Sequence, residues 1–199
     1  MKLASRARFA VINILAPLGL SWVLVSSVNA HFFDHTPPIW SRDVASYGPI
    51  TLRLQLPGAS GGTAEPILAV GRTGQATFVY IRRLSEGRAK VGIEFWGYGA
   101  MESPPFKVPS QDAQVTIEAS FPALFPSSGS PDWGAVSDFE QRHLLSQYVV
   151  TVDGVARVSG PVRYDEPPHS PIYLGQNPLG GSVVSDVFTG KVLAAWHEY

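Results

Sequence analysis

Four aromatic residues stand where a ring could meet a ligand instead of the core. Trp96 and Tyr98 lie at the end of an apolar run, Trp133 lies in a stretch rich in Pro, Ser and Gly, and Tyr164 precedes Asp165-Glu166-Pro167-Pro168-His169. Sugars stack their C–H faces on exposed rings, so aromatic residues in loops indicate a ligand-binding site for carbohydrate. Large aromatic side chains are also usually mostly buried, so the alternative is that each ring caps the edge of a core.

Histidine offers a second chemistry. If the chain is cleaved after Ala30, His31 becomes the first residue, and an amino-terminal histidine can chelate copper through its amine and its ring together. One more histidine would complete such a site, and the candidates are His35, His143, His169 and His197. None of these stands in a recognisable motif, so the alternative is that His31 is an unstructured residue beside a processing site.

Calcium is the other metal to consider, because its oxygen ligands often converge from loops. Loop residues with suitable side chains are Asp132, Asp153, Asp165, Asp186 and Asn177. Asp and Asn are also ordinary turn formers, and the sequence contains no D-x-D-x-D-G phrase. Calcium therefore stays an open alternative, and no metal ligands are predicted.

The first thirty residues predict export. A basic start precedes an apolar run over residues 9–28, and small residues suit cleavage after Ala30. The run is about twenty residues long, which also suits a helical membrane anchor. We expect residues 1–30 to be a signal peptide or a membrane anchor, residues 31–48 an arm, and residues 49–199 one domain. That domain would lie outside the cytoplasm, in the periplasm, outside the cell or tethered to the membrane.

Composition restricts the classes of partner. Beyond residue 30 the chain keeps 12 Lys and Arg against 16 Asp and Glu, without a basic stripe, which argues against nucleic acid as a partner. The chain has no cysteine, so it forms no disulfide, no thiolate metal site and no cysteine nucleophile. A domain of about 160 residues buries enough surface to be stable without disulfides.

The pattern of apolar residues predicts an all-β domain. Residues 50–56 and 114–121 alternate apolar and polar side chains, and two further strands flank Asp153-Gly154, the dipeptide of a type I′ hairpin turn. Shorter strands are predicted at 66–71, 76–82, 88–96, 172–177 and 188–193, and a short helix at 136–146. No βαβ unit and no repeat is visible, which favours an antiparallel β-sandwich. The aromatic residues assigned to its core are Phe78, Phe95, Phe121, Phe188 and Trp196.

Short phrases carry a resemblance to a known fold family. Val150-Thr151-Val152-Asp153-Gly154, Ile172-Tyr173-Leu174-Gly175-Gln176-Asn177 and Phe188-Thr189-Gly190-Lys191-Val192 resemble the closing half of a laminin-G-like or concanavalin A-like jelly roll. Pro66-Ile67-Leu68-Ala69-Val70-Gly71 resembles the P-L-L-x-x-G strand of such domains, and Gly92-Ile93-Glu94-Phe95-Trp96-Gly97 a following strand of the concave sheet. The resemblance implies a jelly roll, and the apolar run of residues 9–28 is predicted to precede it as an N-terminal hydrophobic helix. The resemblance also implies carbohydrate or protein binding, often with calcium, and glycoside hydrolysis in a minority.

An enzyme of this kind needs two carboxyl groups facing each other across the glycosidic bond. The laminarinase-type jelly rolls place them on one strand reading E-x-D-x-x-E, whereas Asp138-Phe139-Glu140 has Val136 where the first Glu should be. Glu94 and Glu118 are predicted to be single, solvated carboxylates. The sequence therefore favours a noncatalytic domain that binds a glycan or another envelope component, with no catalytic residue assigned. A glycan-acting enzyme with an unfamiliar carboxylate pair is the alternative, and a purely structural domain is the third.

Overall fold

The computed structural model describes residues 47–56, 58, 61–108, 112–162 and 171–197, which form two antiparallel sheets packed face to face. The strands are β1 (Ile50–Gln55), β2 (Ala64–Arg72), β3 (Gln75–Leu84), β4 (Arg88–Phe95), β5 (Gly99–Glu102), β6 (Phe106–Lys107), β7 (Gln114–Ser120), β8 (Gln147–Val152), β9 (Val155–Pro161), β10 (Ile172–Leu174) and β11 (Lys191–His197). One sheet has the order β11-β1-β7-β8-β9. The other has the order β10-β2-β3-β4-β5, with β6 paired to β4. The predicted all-β sandwich is confirmed, while the predicted N-terminal helix lies outside the described residues.

The alternating direction of successive side chains builds the core between the sheets. On β1 the side chains of Ile50, Leu52 and Leu54 are completely buried, while Arg53 points to solvent, as a period of two requires. The predicted inward residues of β7 are buried in the same way. Because β1 lies between β11 and β7, its register with both neighbours places the inward-facing side chains of the three strands side by side. The alternation read from the sequence therefore defines the core face of this sheet.

The predicted hairpin at Asp153-Gly154 is confirmed. Both residues adopt positive φ angles, 51° and 76°, as a type I′ turn requires, and they join β8 to β9. The Asp153 carboxylate also accepts a 2.8 Å hydrogen bond from the backbone N–H of Thr116 on β7. This side chain therefore holds its own turn against the neighbouring strand.

The last strand differs from the prediction. β11 begins at Lys191 instead of residue 188 and continues to His197. Ala195 lies opposite Leu52 and shares its inward direction, so Trp196 opposite Thr51 points away from the core and is only half-buried. The assignment of Trp196 to the core is therefore wrong, whereas the other four predicted core aromatics are buried.

The single α-helix of the described part, α1 (Asp138–Ser146), confirms the helical prediction at 136–146. It begins with a capping box, in which the Ser137 hydroxyl accepts a hydrogen bond from the Glu140 backbone N–H at 3.3 Å. Glu140 Oε2 accepts one from the Ser137 N–H at 3.1 Å. Phe139 on this helix is exposed to solvent. Within the described ranges, no helix is long and apolar enough to cross a membrane.

A buried ion pair stabilises one end of the core. Arg83 Nη2 donates a 2.6 Å hydrogen bond to Glu65 Oε1, and both side chains are almost fully enclosed. Arg83 also donates to the Gly58 carbonyl and to the Thr189 hydroxyl. Glu65 Oε2 in turn accepts from the backbone N–H and the hydroxyl of Thr189. The pair thus joins β2 and β3 to the loops before β2 and before β11.

Candidate functional site

The outer face of the six-stranded sheet carries side chains suited to ligand binding. On β3, Val79 and Ile81 belong to the core between the sheets, so Phe78, Tyr80 and Arg82 point to the opposite face. Three pairs cross from β3 to β4, namely Phe78 with Glu94, Tyr80 with Gly92 and Arg82 with Lys90, and Gly92 pairs in turn with Glu102 of β5. Three adjacent strands therefore contribute residues to one continuous surface.

One half of this face is a polar network centred on Glu102. Glu102 Oε1 accepts a 2.8 Å hydrogen bond from Arg82 Nε and a 3.3 Å hydrogen bond from the Tyr80 hydroxyl. Its Oε2 accepts from Lys90 Nζ at 3.1 Å. Arg82 Nη1 is held by the Gly62 carbonyl at 2.7 Å. The Arg82, Lys90 and Glu102 side chains are 31%, 30% and 24% exposed, so solvent or a ligand can reach all three.

The electrostatics of the network keep Glu102 and Tyr80 in defined protonation states. Burial alone would raise the pKa of Glu102, but hydrogen bonds and charges from Arg82 and Lys90 together lower it, so the carboxylate is ionised at neutral pH. Burial, reinforced by the Glu102 charge, raises the pKa of Tyr80, so the phenol is neutral and donates a hydrogen bond. In the described part of the chain, the remaining N–H groups of Arg82 and Lys90 make no further hydrogen bond. These donors are available to a ligand.

The other half of the face is apolar and covered. Residues 176–187, here called the cover segment, fold back from β10 over the sheet, and the two ends of the segment are joined by an antiparallel bridge between Gln176 and Val187. Leu179 and Val184 of the cover segment pack with Phe78 in a cluster separate from the main core. Trp96 joins that cluster, with its ring centroid 5.9 Å from that of Phe78. The apolar floor of the face is therefore occupied by the chain itself.

Glu94 lies under the cover segment and is 7% exposed. Burial raises the pKa of its carboxyl group, although contacts with the Ser182 hydroxyl and the Val183 backbone oppose that shift. Its Oε2 atom is buried without a hydrogen-bond partner. The prediction that Glu94 is solvated is therefore wrong, because a segment more than eighty residues later in the chain covers this outer strand face.

The four predicted ligand-binding aromatics lie in different surroundings. Trp96 is half-buried at the end of β4, and Tyr98 in the turn that follows is 69% exposed, so both border the candidate face. Trp133 is 3% exposed, stacks on Phe125 with ring centroids 5.9 Å apart, and donates from Nε1 to the Ser127 carbonyl at 2.8 Å. Its indole therefore caps the core and offers no face to a ligand. Tyr164 lies outside the described residues.

Sequence reasoning did not single out Arg82, Lys90 or Glu102. The hairpin register of β3 and β4 would have placed Arg82 beside Lys90, since both lie on the outward positions of predicted strands. The sequence did not indicate that Glu102 lies on this face, because β5 is four residues long and has no alternating pattern.

In the described part of the chain, no three His, Asp or Glu side chains are grouped so that they could hold a copper or calcium ion. His143 is exposed on α1, and His197 Nδ1 lies 3.1 Å from the Gly48 carbonyl; the other histidines of the copper hypothesis, His31, His35 and His169, lie outside the described residues. Of the calcium candidates, Asp153 accepts the backbone N–H of Thr116 on β7, Asn177 accepts a backbone N–H of its own turn, and Asp132 is hydrogen bonded to Ser130.

Comparison with known proteins identifies the fold. The chain matches no protein-family model and no curated protein sequence.

The CBM40 domain of Ruminococcus gnavus IT-sialidase, solved with α2,3-sialyllactose, matches with a TM-score of 0.51 and 15% identity over 84% of this chain and 87% of that chain. The Caenorhabditis elegans galectin LEC-6 matches with a TM-score of 0.44 and 15% identity, over 86% of this chain and 97% of that chain. Mouse laminin α1 domains LG4-5 match with a TM-score of 0.37 and 16% identity, over 92% of this chain and 45% of that chain. The protein is a jelly-roll β-sandwich, as the sequence resemblance implies.

Proposed function

We propose that this domain binds a glycan on the outer face of its six-stranded sheet. The observation that carries the proposal is the Glu102 network, which places unused donors of Arg82 and Lys90 beside an ionised acceptor on the face that Trp96 and Tyr98 border. The sandwich of similar fold from Ruminococcus gnavus was solved with a sialylated sugar, which supports the choice of ligand class.

The arrangement suits a sugar for a physical reason. A glycan offers hydroxyl groups that both donate and accept hydrogen bonds, and C–H faces that stack on aromatic rings. Glu102 already orients the Arg82 guanidinium and the Lys90 ammonium, so little side-chain freedom remains to be lost when a ligand binds. The exposed ring of Tyr98 at the adjacent turn supplies an apolar surface.

The binding test is a panel of immobilised glycans that includes sialyllactose and lactose, followed by calorimetric titration of each retained glycan. Lys90→Met and Arg82→Gln are expected to weaken binding at least about tenfold, the equivalent of one lost hydrogen bond to a charged group. Arg53→Met is the matched control, because Arg53 is exposed on the outer face of the other sheet. Wild-type affinity in both site variants would refute this location.

The proposed place of action is outside the cytoplasm, on an envelope or extracellular glycan. The basic start and apolar run of residues 1–30 support export, either by a cleaved signal peptide or by a membrane anchor. The test is the mass of the protein recovered separately from membrane and soluble fractions. A soluble species beginning at His31 would show cleavage and would justify a copper titration. A full-length membrane species would show an anchor and would rule out copper binding through the amine of His31.

A glycan-acting enzyme is the second candidate, because two carboxyl groups share this face. Glu94 and Glu102 lie on adjacent strands in diagonal register, which places their Cβ atoms about 7 Å apart. The pKa of Glu94 is raised and that of Glu102 is lowered, as an acid and a nucleophile or base require. Release of nitrophenol from aryl glycosides, lost in both Glu94→Gln and Glu102→Gln, would establish this activity. Absence of turnover across the retained sugars would leave the binding function alone.

A further inference from the structure

The cover segment is organised mainly by its own hydrogen bonds. Asn177 Oδ1 accepts from the backbone N–H groups of Leu179 and Gly180, both at 3.1 Å, and the Asn177 N–H donates to the Asp186 carbonyl at 2.8 Å. The Ser182 hydroxyl accepts from the Val184 N–H at 2.8 Å. Because these bonds begin and end inside the segment, it can keep its shape when it leaves the sheet.

Few polar contacts hold the cover segment to the sheet. The hydrogen bonds between the described residues of the two include Ser185 N–H to the Ala64 carbonyl at 2.9 Å and the Thr73 hydroxyl to the Leu179 carbonyl at 3.5 Å. The Ser182 hydroxyl and the Val183 backbone contact the carboxyl group of Glu94, and the segment also packs by apolar contact with Phe78 and Trp96. We expect a segment attached in this way to open locally at a lower free energy than global unfolding requires.

A carboxyl group is enclosed beneath this attachment. Glu94 is more than nine-tenths buried, its Oε2 has no hydrogen-bond partner, and its polar neighbours from the cover segment are the Ser182 hydroxyl and the Val183 backbone. A buried carboxyl oxygen without a donor destabilises the closed arrangement. Trp96 lies beneath the same segment, against Gly181. A hydroxyl group and an aromatic contact of the chain itself thus occupy positions that a sugar could take.

We propose that the cover segment is a lid over the inner half of the glycan site, and that a sugar with two adjacent hydroxyl groups displaces it to bind Glu94 and Trp96. This inference rests on the glycan function proposed above. The sugar hydroxyls replace Ser182 and Val183 at the Glu94 carboxyl and also supply a donor to Oε2. The C–H face of the sugar replaces Gly181 on the indole of Trp96.

Two neighbouring glycines provide a matched test of the lid. Gly180 and Gly181 have almost equal positive φ angles, 69° and 68°, so alanine brings the same backbone strain at either position. A Cβ atom at residue 181 would lie 2.3 Å from Cζ2 of Trp96, whereas one at residue 180 would meet nothing within 4 Å. Only Gly181→Ala should therefore push the cover segment away from the sheet.

The measurement is the hydrogen-exchange rate of the Ser185 backbone N–H, detected by NMR in the full chain without ligand. Exchange at this position is expected to be about tenfold faster in Gly181→Ala than in Gly180→Ala, with the amide of Leu52 in β1 unchanged. If Gly181→Ala does not fold, Val184→Ala replaces it, because it removes an apolar contact of the same segment. If Ser185 exchanges at the same rate in Gly180→Ala as in Gly181→Ala, or in Val184→Ala where that replaces it, the lid proposal is refuted.

Displacement of the cover segment by a sugar is tested with one glycan from the panel that includes sialyllactose and lactose. The glycan chosen is the one that the wild-type protein retains most strongly. Glu94→Gln is expected to weaken its binding about tenfold while Ser185 exchanges no faster than in the wild-type protein, and Gly181→Ala is expected to strengthen binding. Unchanged affinity in Glu94→Gln would overturn the role of Glu94. Failure of the wild-type protein to retain any glycan would overturn the proposed function and the displacement by a sugar together, whereas Ser185 exchange tests the lid separately.

Discussion

Substitution of Gly92 by alanine should destabilise the domain through the ring of Tyr80. Gly92 lies directly opposite Tyr80 in the β3–β4 pair, and the phenol ring lies across the space that a side chain at residue 92 would fill. A Cβ atom there would come within 2.3 Å of Tyr80 Cζ, 2.5 Å of its hydroxyl oxygen and 2.6 Å of Cε2. Normal carbon–carbon contact is about 3.5 Å or more, so the ring would have to move by about 1 Å.

The ring has little room for that movement, because Tyr80 is 1% exposed and enclosed by the apolar cluster beneath the cover segment. Overpacking of this kind costs about 1–3 kcal/mol of unfolding free energy. In a domain of this size each kcal/mol changes Tm by about 2–4 °C, so we expect Tm to fall by about 2–12 °C. Displacement of the phenol would also weaken its hydrogen bond to Glu102 and thereby glycan binding.

The assay is reversible thermal and urea unfolding of Gly92→Ala beside Gly61→Ala. Gly61 also lacks a positive φ angle, and a Cβ atom there would meet nothing within 4 Å, so alanine should be neutral or stabilise by up to about 1 kcal/mol. In a Tyr80→Val background the cost of Gly92→Ala should disappear, since the ring is gone. The reasoning would be refuted if Gly92→Ala were as stable as the wild-type protein, or if its cost persisted without the ring.

Four further predictions concern stability. Glu65→Ala should cost about 3–5 kcal/mol in urea unfolding, because it leaves the buried Arg83 guanidinium without its carboxylate, and Glu65→Leu combined with Arg83→Met should recover most of that loss. A raised pKa in the folded state means that Glu94 destabilises the domain as pH rises above the ordinary range of a glutamate. Glu94→Gln should therefore flatten the stability profile on the neutral side. Glu102 has the opposite sign: its lowered pKa contributes stability that is lost as pH falls, so Glu102→Gln should flatten the acid side; unchanged profiles would contradict both assignments. Ser137→Ala should cost about 1 kcal/mol by removing the cap of α1, and an unchanged urea midpoint would show that the capping box adds nothing.

The sequence by itself determined the features that depend on neighbours along the chain. Alternation at residues 50–56 identified the buried side of β1, because successive side chains of a strand point to opposite faces. Asp153-Gly154 identified a hairpin, because few other dipeptides adopt two consecutive positive φ angles without strain. Residues 136–146 indicated a short helix, and the absence of βαβ units indicated an antiparallel sandwich.

Tertiary structure alone decided which strand faces are covered and which charges meet. Alternation placed Glu94 on an outer face, but only the fold brings the cover segment over that face and buries the carboxyl group. Glu102 joins Arg82 and Lys90 from 20 and 12 residues away, through a strand too short to show a pattern. The sequence placed Trp133 in a loop, whereas in the structure it stacks on Phe125 and is buried in the core. Periodicity indicates the direction of a side chain, whereas its burial, its pKa and its availability to a ligand depend on what a distant part of the chain places against it.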